Sequence, residues 1–169
     1  MLKLHLPAVA RDEVRLEEQI PADHPGLRDA ALPLSGPVVL DLRARSVGDG
    51  VLVRGAVRTR IDVPCRRCLS MVTQPVDETL DLLFVPTDTD EEEDLGGEVY
   101  PLPLRGMDLD LTEAIREQLI LRTPEYALCS EECRGLCPQC GMDLNLGACD
   151  CVPESSPGPW DVLKKLEPN

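Results

Sequence analysis

The chain has 169 residues, 43% of them apolar, which suits one folded core with at most a small satellite. Its net charge of −14 argues against a general nucleic-acid binder, because an acidic chain repels a polyanion and attracts basic partners. No segment approaches the roughly 20 apolar residues that span a bilayer, and residues 1–15 lack a charged leader followed by an apolar run. The expected setting is therefore a reducing cytoplasm, where clustered cysteines serve as metal ligands or redox groups rather than disulfides.

Residues 1–36 read as loosely organised. Leu2, Leu4 and Leu6 alternate with Lys3 and His5, as in a short strand, and Pro21, Pro25, Gly26, Pro33 and Gly36 then break the chain into loops. Residues 37–128 are expected to hold a β-sheet and a helix. A strand at 38–46 places Leu40, Leu42 and Ala44 opposite Arg43 and Arg45. A turn at Gly48-Asp49-Gly50 leads to a strand at 51–63, where Val51, Val53, Val57, Ile61 and Val63 share one face and Arg54, Arg58 and Arg60 the other. A third strand at 71–85 turns Val72, Val76, Leu80, Leu82 and Phe84 inward, with Pro75 marking an edge or a bulge. Residues 87–98 carry Asp88, Asp90, Glu91, Glu92, Glu93, Asp94 and Glu98 with no cation, and read as a solvated loop or a docking segment for a basic protein. A helix follows at 110–122, with Asp110 and Glu113 as its capping signal, Leu111, Ala114, Ile115 and Leu119 on one face, and Thr123-Pro124 as its stop. Residues 129–169 form a cysteine-rich tail that closes on a short helix at 160–166 with Trp160, Leu163 and Leu166 as its apolar positions. The expected fold is α+β: a small antiparallel β-sheet, one packed helix and a zinc-binding C-terminal tail.

The eight cysteines fall into four short pairs, Cys65/Cys68, Cys129/Cys133, Cys137/Cys140 and Cys149/Cys151. Zinc takes four ligands in a tetrahedron and accepts thiolates, and a short pair at a turn supplies two of them. Four pairs therefore suit two zinc ions, each held by four cysteines. Cys137-Pro138-Gln139-Cys140-Gly141 has the form of a zinc knuckle, in which the glycine lets backbone amides turn toward sulfur. Cys137, Cys140, Cys149 and Cys151 are grouped as one site, and Cys65, Cys68, Cys129 and Cys133 as the other, stapling the tail to the sheet. Exchange of Cys129/Cys133 with Cys137/Cys140 is an open alternative, since spacing does not set connectivity. No catalytic constellation is visible: His5 and His24 lie far from the cysteines, and no phosphate or dinucleotide loop is present, so the chain is not expected to be an enzyme.

Arg43, Arg45, Arg54, Arg58, Arg60, Arg66 and Arg67 are opposed in their span only by Asp49 and Asp62. They are candidate RNA-binding residues, because guanidinium forks match phosphate. The competing reading is an ordinary charged strand face, and the aromatics of a single-strand platform are missing there.

Together, Cys65-Arg66-Arg67-Cys68-Leu69, the helix running to Leu119-Ile120-Leu121-Arg122-Thr123-Pro124, the block Cys133-Arg134-Gly135-Leu136-Cys137-Pro138-Gln139-Cys140-Gly141-Met142-Asp143-Leu144-Asn145, and Cys149-Asp150-Cys151 resemble the YceD family, the large ribosomal RNA subunit accumulation proteins. The resemblance covers roughly residues 38–166. It implies a non-enzymatic role in synthesis, processing or stability of large-subunit (23S) ribosomal RNA in bacteria and plastids. The expected partner is that RNA or its precursor, contacted directly or through a basic ribosomal protein, with no membrane and no small-molecule substrate. Pro159-Trp160-Asp161-Val162-Leu163 departs from the family's pattern of a basic residue after the proline, which leaves Trp160 without an assigned role. A zinc-thiolate redox or metal sensor acting through protein partners is the alternative.

Overall fold

The computed structural model of the chain describes residues 2–86, 99–103 and 106–151. The expected acidic loop 87–98 and the expected helix 160–166 lie outside the described residues. In chain order the elements are β1 (Lys3–His5), α1 (Leu6–Val9), β2 (Val14–Ile20), a 3-10 turn (Pro25–Leu27), β3 (Val38–Val47), β4 (Gly50–Pro64), β5 (Met71–Pro86), β6 (Val99–Leu102), β7 (Asp108–Asp110) and α2 (Thr112–Leu121). Strands β2 to β6 form one sheet in the order β2-β3-β4-β5-β6, and β1 pairs with β7 in a separate two-stranded ribbon. No helix among the described residues is long and apolar enough to cross a membrane.

The three long strands follow the alternation of their side chains. In β4 the odd positions Val51, Val53, Val57, Thr59, Ile61 and Val63 are buried, while Arg54, Arg58 and Arg60 are exposed. Gly48, at φ +62°, opens the tight turn between β3 and β4, whose Val47 and Gly50 pair across it. Gly55 sits where β3 comes very close: a Cβ there would lie 2.1 Å from the Asp41 carbonyl oxygen. Pro75 is opposite Arg60 in β4, and β6 pairs only with Leu83 to Pro86 of β5. Its missing N–H therefore falls on an open edge, where it breaks no ladder.

The sheet is larger than the sequence suggests and is not purely antiparallel. Strands β2 to β5 pair antiparallel, but β6 runs parallel to β5. Parallel neighbours need a connection of about a dozen residues or more, and residues 87–98 supply that length.

Residues 1–36, expected to be loosely organised, instead contribute β1, α1 and β2, and bury Leu2, Leu4, Val9, Ile20, Leu27 and Leu32 in the main core. Alternation in β2 is broken by Glu18, which opposes Leu40 at the rim of the sheet, so the strand carries a weak signal. The loops after it are tied down by long-range bonds. The Arg60 carbonyl accepts from Ser35 N at 2.8 Å, the Pro33 carbonyl accepts from Asp62 N at 2.9 Å, and Arg116 of α2 pairs with Asp29 at 2.8 Å.

Helix α2 starts two residues later than expected. Asp110 accepts from Thr112 N at 2.9 Å and from the Thr112 hydroxyl at 2.5 Å, while Glu113 pairs with Arg116 rather than closing a capping box. Ala114, Ile115 and Leu119 join the inner face of the sheet in one apolar cluster. Gln118 is buried with them but satisfied, donating to the Tyr100 hydroxyl at 2.7 Å and accepting from Arg122. The helix thereby places the cysteine-rich segment beside the turn between β4 and β5.

Candidate metal centre

The turn joining β4 to β5 is Cys65-Arg66-Arg67-Cys68-Leu69-Ser70. Leu69 N donates to the Cys65 carbonyl at 2.9 Å, and Cys65 N donates to the Ser70 carbonyl at 2.8 Å. In the tail, Gly141 N donates to the Cys137 carbonyl at 2.9 Å, and Cys137 N donates to the Met142 carbonyl at 2.8 Å. The two turns are thus the same knuckle built twice. Both need a left-handed residue after the second cysteine, Gly141 at φ +72° and Leu69 at φ +62°. Glycine adopts that backbone freely, whereas Leu69 is the one non-glycine residue at positive φ among the described residues.

The chain after α2 is stitched onto the first knuckle. Arg66 N donates to the Ala127 carbonyl at 2.9 Å, and Leu136 N donates to the Arg67 carbonyl at 3.1 Å. The Arg67 guanidinium donates to the carbonyls of Cys133 at 2.9 Å and Glu131 at 3.2 Å. Gly135, at φ +75°, lies so close that a Cβ would stand 2.9 Å from the Arg67 carbonyl oxygen.

These contacts gather the sulfurs of Cys65, Cys68, Cys129 and Cys133 into one group and those of Cys137, Cys140, Cys149 and Cys151 into another, each with all four within 4.8 Å of one another. This is the first of the two groupings left open by the sequence; the exchanged grouping is not formed. Cys65 and Cys133 sulfurs are 3.8 Å apart, and Cys68 and Cys129 sulfurs 3.6 Å. A disulfide needs about 2.05 Å, and all eight cysteines are free. Four thiolates at about 2.3 Å from one ion would stand about 3.8 Å apart at tetrahedral angles, so both groups fit a four-coordinate thiolate-bound metal.

The electrostatics of the two quartets match. Backbone N–H groups of Cys68 and Arg67 pull the Cys65 thiol down to about 6, and those of Cys140 and Gln139 do the same for Cys137, also to about 6. The Ser70 hydroxyl, 3.0 Å from the Cys68 sulfur, lowers that thiol as well. Cys129 and Cys151 are pushed up to about 12, chiefly by their sulfur contacts with Cys133 and Cys140 respectively. Each knuckle thus offers a ready thiolate, in Cys65 and in Cys137, while Cys129 and Cys151 keep protons that a divalent cation would displace. Burial separates the sites: Cys65, Cys68 and Cys133 are buried in the first, but only Cys137 in the second.

Asn145 links the two. It lies in the loop of the second quartet yet donates to the Cys133 sulfur of the first at 3.5 Å, while accepting from Arg134 N at 2.7 Å. Reading the cysteines alone missed Asn145, Ser70 and Leu69; the signal for Asn145 was its place in the block ending Asp143-Leu144-Asn145.

The other candidates lie elsewhere. Arg43, Arg45, Arg54, Arg58 and Arg60 do share the outer face of the sheet, but alternate there with Asp41, Asp62, Asp77 and Asp81. Arg58 donates to Asp77 at 3.1 Å and Arg54 pairs with Asp81. Arg66 lies 4.8 Å over the ring of the exposed Tyr126, and Arg67 is spent on backbone carbonyls. His5 pairs with Asp108 at 2.9 Å, and His24 accepts from Gly26 N at 3.2 Å, so both serve local structure.

A family model described as large ribosomal RNA subunit accumulation protein YceD matches residues 53–167. Uncharacterized proteins of Mycobacterium bovis and Mycobacterium tuberculosis are 40% identical over 123 residues, covering 70% of this chain and 57% of theirs. A protein of Arabidopsis thaliana named large ribosomal RNA subunit accumulation protein YCED homolog 1, chloroplastic, is 30% identical over 137 residues, covering 66% of this chain and 43% of its own. The chain thus spans little more than half the length of the mycobacterial relatives it matches. No solved structure matches it. The matched region runs from within β4 through β5 and α2 and takes in both cysteine quartets, and the chain belongs to the YceD family.

Proposed function

We propose that the chain is a bacterial, cytoplasmic, non-enzymatic factor that supports synthesis, processing or stability of large-subunit (23S) ribosomal RNA during ribosome biogenesis. The observation that carries this reading is the family match across residues 53–167, which includes every cysteine of both quartets. Zinc is the ion best suited to them: it is redox-inert, takes four thiolates in a closed tetrahedron and contributes folding energy. In the first quartet the metal would staple the tail to the β4–β5 turn. In the second it would fix the loop that carries Asn145. The residues around the sulfurs supply the rest by orienting N–H and O–H donors toward them. The partner is large-subunit ribosomal RNA, contacted directly or through a basic ribosomal protein that residues 87–98 would attract.

The test is the ratio of large- to small-subunit ribosomal RNA in cells depleted of the protein. A selective fall in large-subunit RNA is expected; an unchanged ratio under several growth conditions contradicts the reading. A zinc-thiolate sensor is favoured by one observation, the exposure of Cys140 beside the half-buried Cys149 and Cys151. It predicts zinc loss at peroxide levels that spare other zinc proteins.

A further inference from the structure

The arginines of the outer sheet face are not evenly spread. In the strand register Arg15 stands opposite Arg43, Arg43 opposite Arg54, and Arg54 opposite Asp81. Three guanidinium groups therefore form one row across β2, β3 and β4. Like charges directly opposite one another destabilise a sheet. The two ends of the row are relieved, Arg15 by Asp41 at 3.1 Å and Glu17 at 2.6 Å, and Arg54 by Asp81. The middle is relieved less: Arg43 has Glu13 at 3.8 Å, beyond hydrogen-bond reach, and shares the charge of Asp41, whose hydrogen bonds go to Arg15, while its own side chain is 64% exposed. Arg45, two residues further along β3 on the same face, has no ion pair among the described residues. Arg43, Arg45 and Arg54 converge with Leu52 and Glu13 on a pocket of about 230 Å³.

We propose that this pocket seats a phosphate group of an RNA backbone, with Arg43 and Arg45 as its principal donors and Arg54 as the third. The proposal rests on the large-subunit RNA reading and names the chemical contact. An anion between these side chains turns the repulsion within the row into attraction, and guanidinium forks match phosphate oxygens in pairs. Leu52 gives the pocket an apolar wall. Arg58 and Arg60 share the face but not the pocket, and Arg58 already has Asp77. Because the chain carries −14, RNA is repelled at a distance and the contact is local and strongly dependent on salt.

The test uses the full chain purified with its metal and a labelled single-stranded 15-nucleotide RNA, read by fluorescence anisotropy across a salt series, with inorganic phosphate as a second probe. Arg43→Gln with Arg45→Gln is compared with Arg58→Gln with Arg60→Gln, which removes the same charge from the same face. The first pair should weaken RNA binding at least tenfold and flatten the salt slope by about 0.7 for each phosphate no longer neutralised. The second pair should change affinity less than twofold. Equal losses overturn the proposal in favour of diffuse charge, binding of inorganic phosphate without RNA reduces the pocket to a small-anion site and overturns it, and so does absence of RNA binding at low salt. In depleted cells the two readings part. If depletion lowers large-subunit RNA and the Arg43/Arg45 variant restores it fully, the pocket proposal fails while the family function stands. If depletion changes nothing, the function reading itself fails.

Discussion

Gly135 is the point where the tail docks on the first knuckle, and replacing it with alanine isolates that docking. Two costs add. The backbone at φ +75° is left-handed, and a side chain there costs about 1–2 kcal/mol, part of which is offset because alanine also restricts the unfolded chain by about 0.4–1 kcal/mol. The new Cβ would also stand 2.9 Å from the Arg67 carbonyl oxygen, which accepts from Leu136 N and cannot retreat without losing that bond. Overpacking of this kind costs about 1–3 kcal/mol, so Gly135→Ala should lose about 2–3 kcal/mol. Gly48 and Gly141 have similar φ values of +62° and +72° but nothing within 4 Å of an added Cβ. Gly48→Ala should therefore lose only about 0.5–1 kcal/mol, the backbone strain alone. The converse holds at Leu69, where Leu69→Gly relieves strain and should be neutral or stabilising by up to about 1 kcal/mol. Urea unfolding of the metal-loaded proteins, read at equal slopes, measures all three. Equal losses at Gly135 and Gly48 would refute the idea that the close approach to Arg67 holds the tail in place.

The two quartets should release metal in order. A graded chelator series followed by alkylation and peptide mapping should expose Cys140, Cys149 and Cys151 before Cys65, Cys68 and Cys133, because the former are exposed or half-buried and the latter are buried; simultaneous release contradicts this. The cap of α2 should appear in the acid limb of stability. Burial tends to raise the Asp110 carboxyl, but bonds from the Thr112 hydroxyl and amide, with the Lys3 charge, outweigh it and hold it below the usual range. A depressed carboxylate stabilises the fold fully above its unfolded value of about 3.9, and that contribution is lost as pH falls through the folded value. The stability gap between wild type and Asp110→Asn should therefore shrink between pH 5 and 2.5 in urea midpoints, and a constant gap would mean that the Asp110 charge does not stabilise the cap.

Much of the fold was legible because burial imposes a period of two on long strands. The apolar sets of β3, β4 and β5 are those the alternation picks out, and the Cys-x-x-Cys spacing marks both knuckles. What was not legible depends on partners distant in the chain. β2 lies at the rim, where Glu18 is tolerated on the inner face and the pattern blurs. β6 contains Pro101 and pairs only with the end of β5, so four residues carry no period. β7 is three residues that become a strand only because Lys3 to His5 lie alongside. The arginine stripe was visible, but most of the carboxylates that divide it come from β3 and β5, and only the register shows Arg43 standing between two like charges. The grouping of the cysteines is the one the sequence reading put forward, but its rival is set aside only by contacts of Arg67 and Gly135 across the chain, which no spacing rule contains.

Metal in both quartets is the central claim, and native mass spectrometry of the chain purified without chelator measures it. Two zinc ions per chain, with eight cysteines alkylated only after denaturation with chelator, is the predicted result. A metal-free chain whose mass shows cysteines joined as disulfides would contradict it.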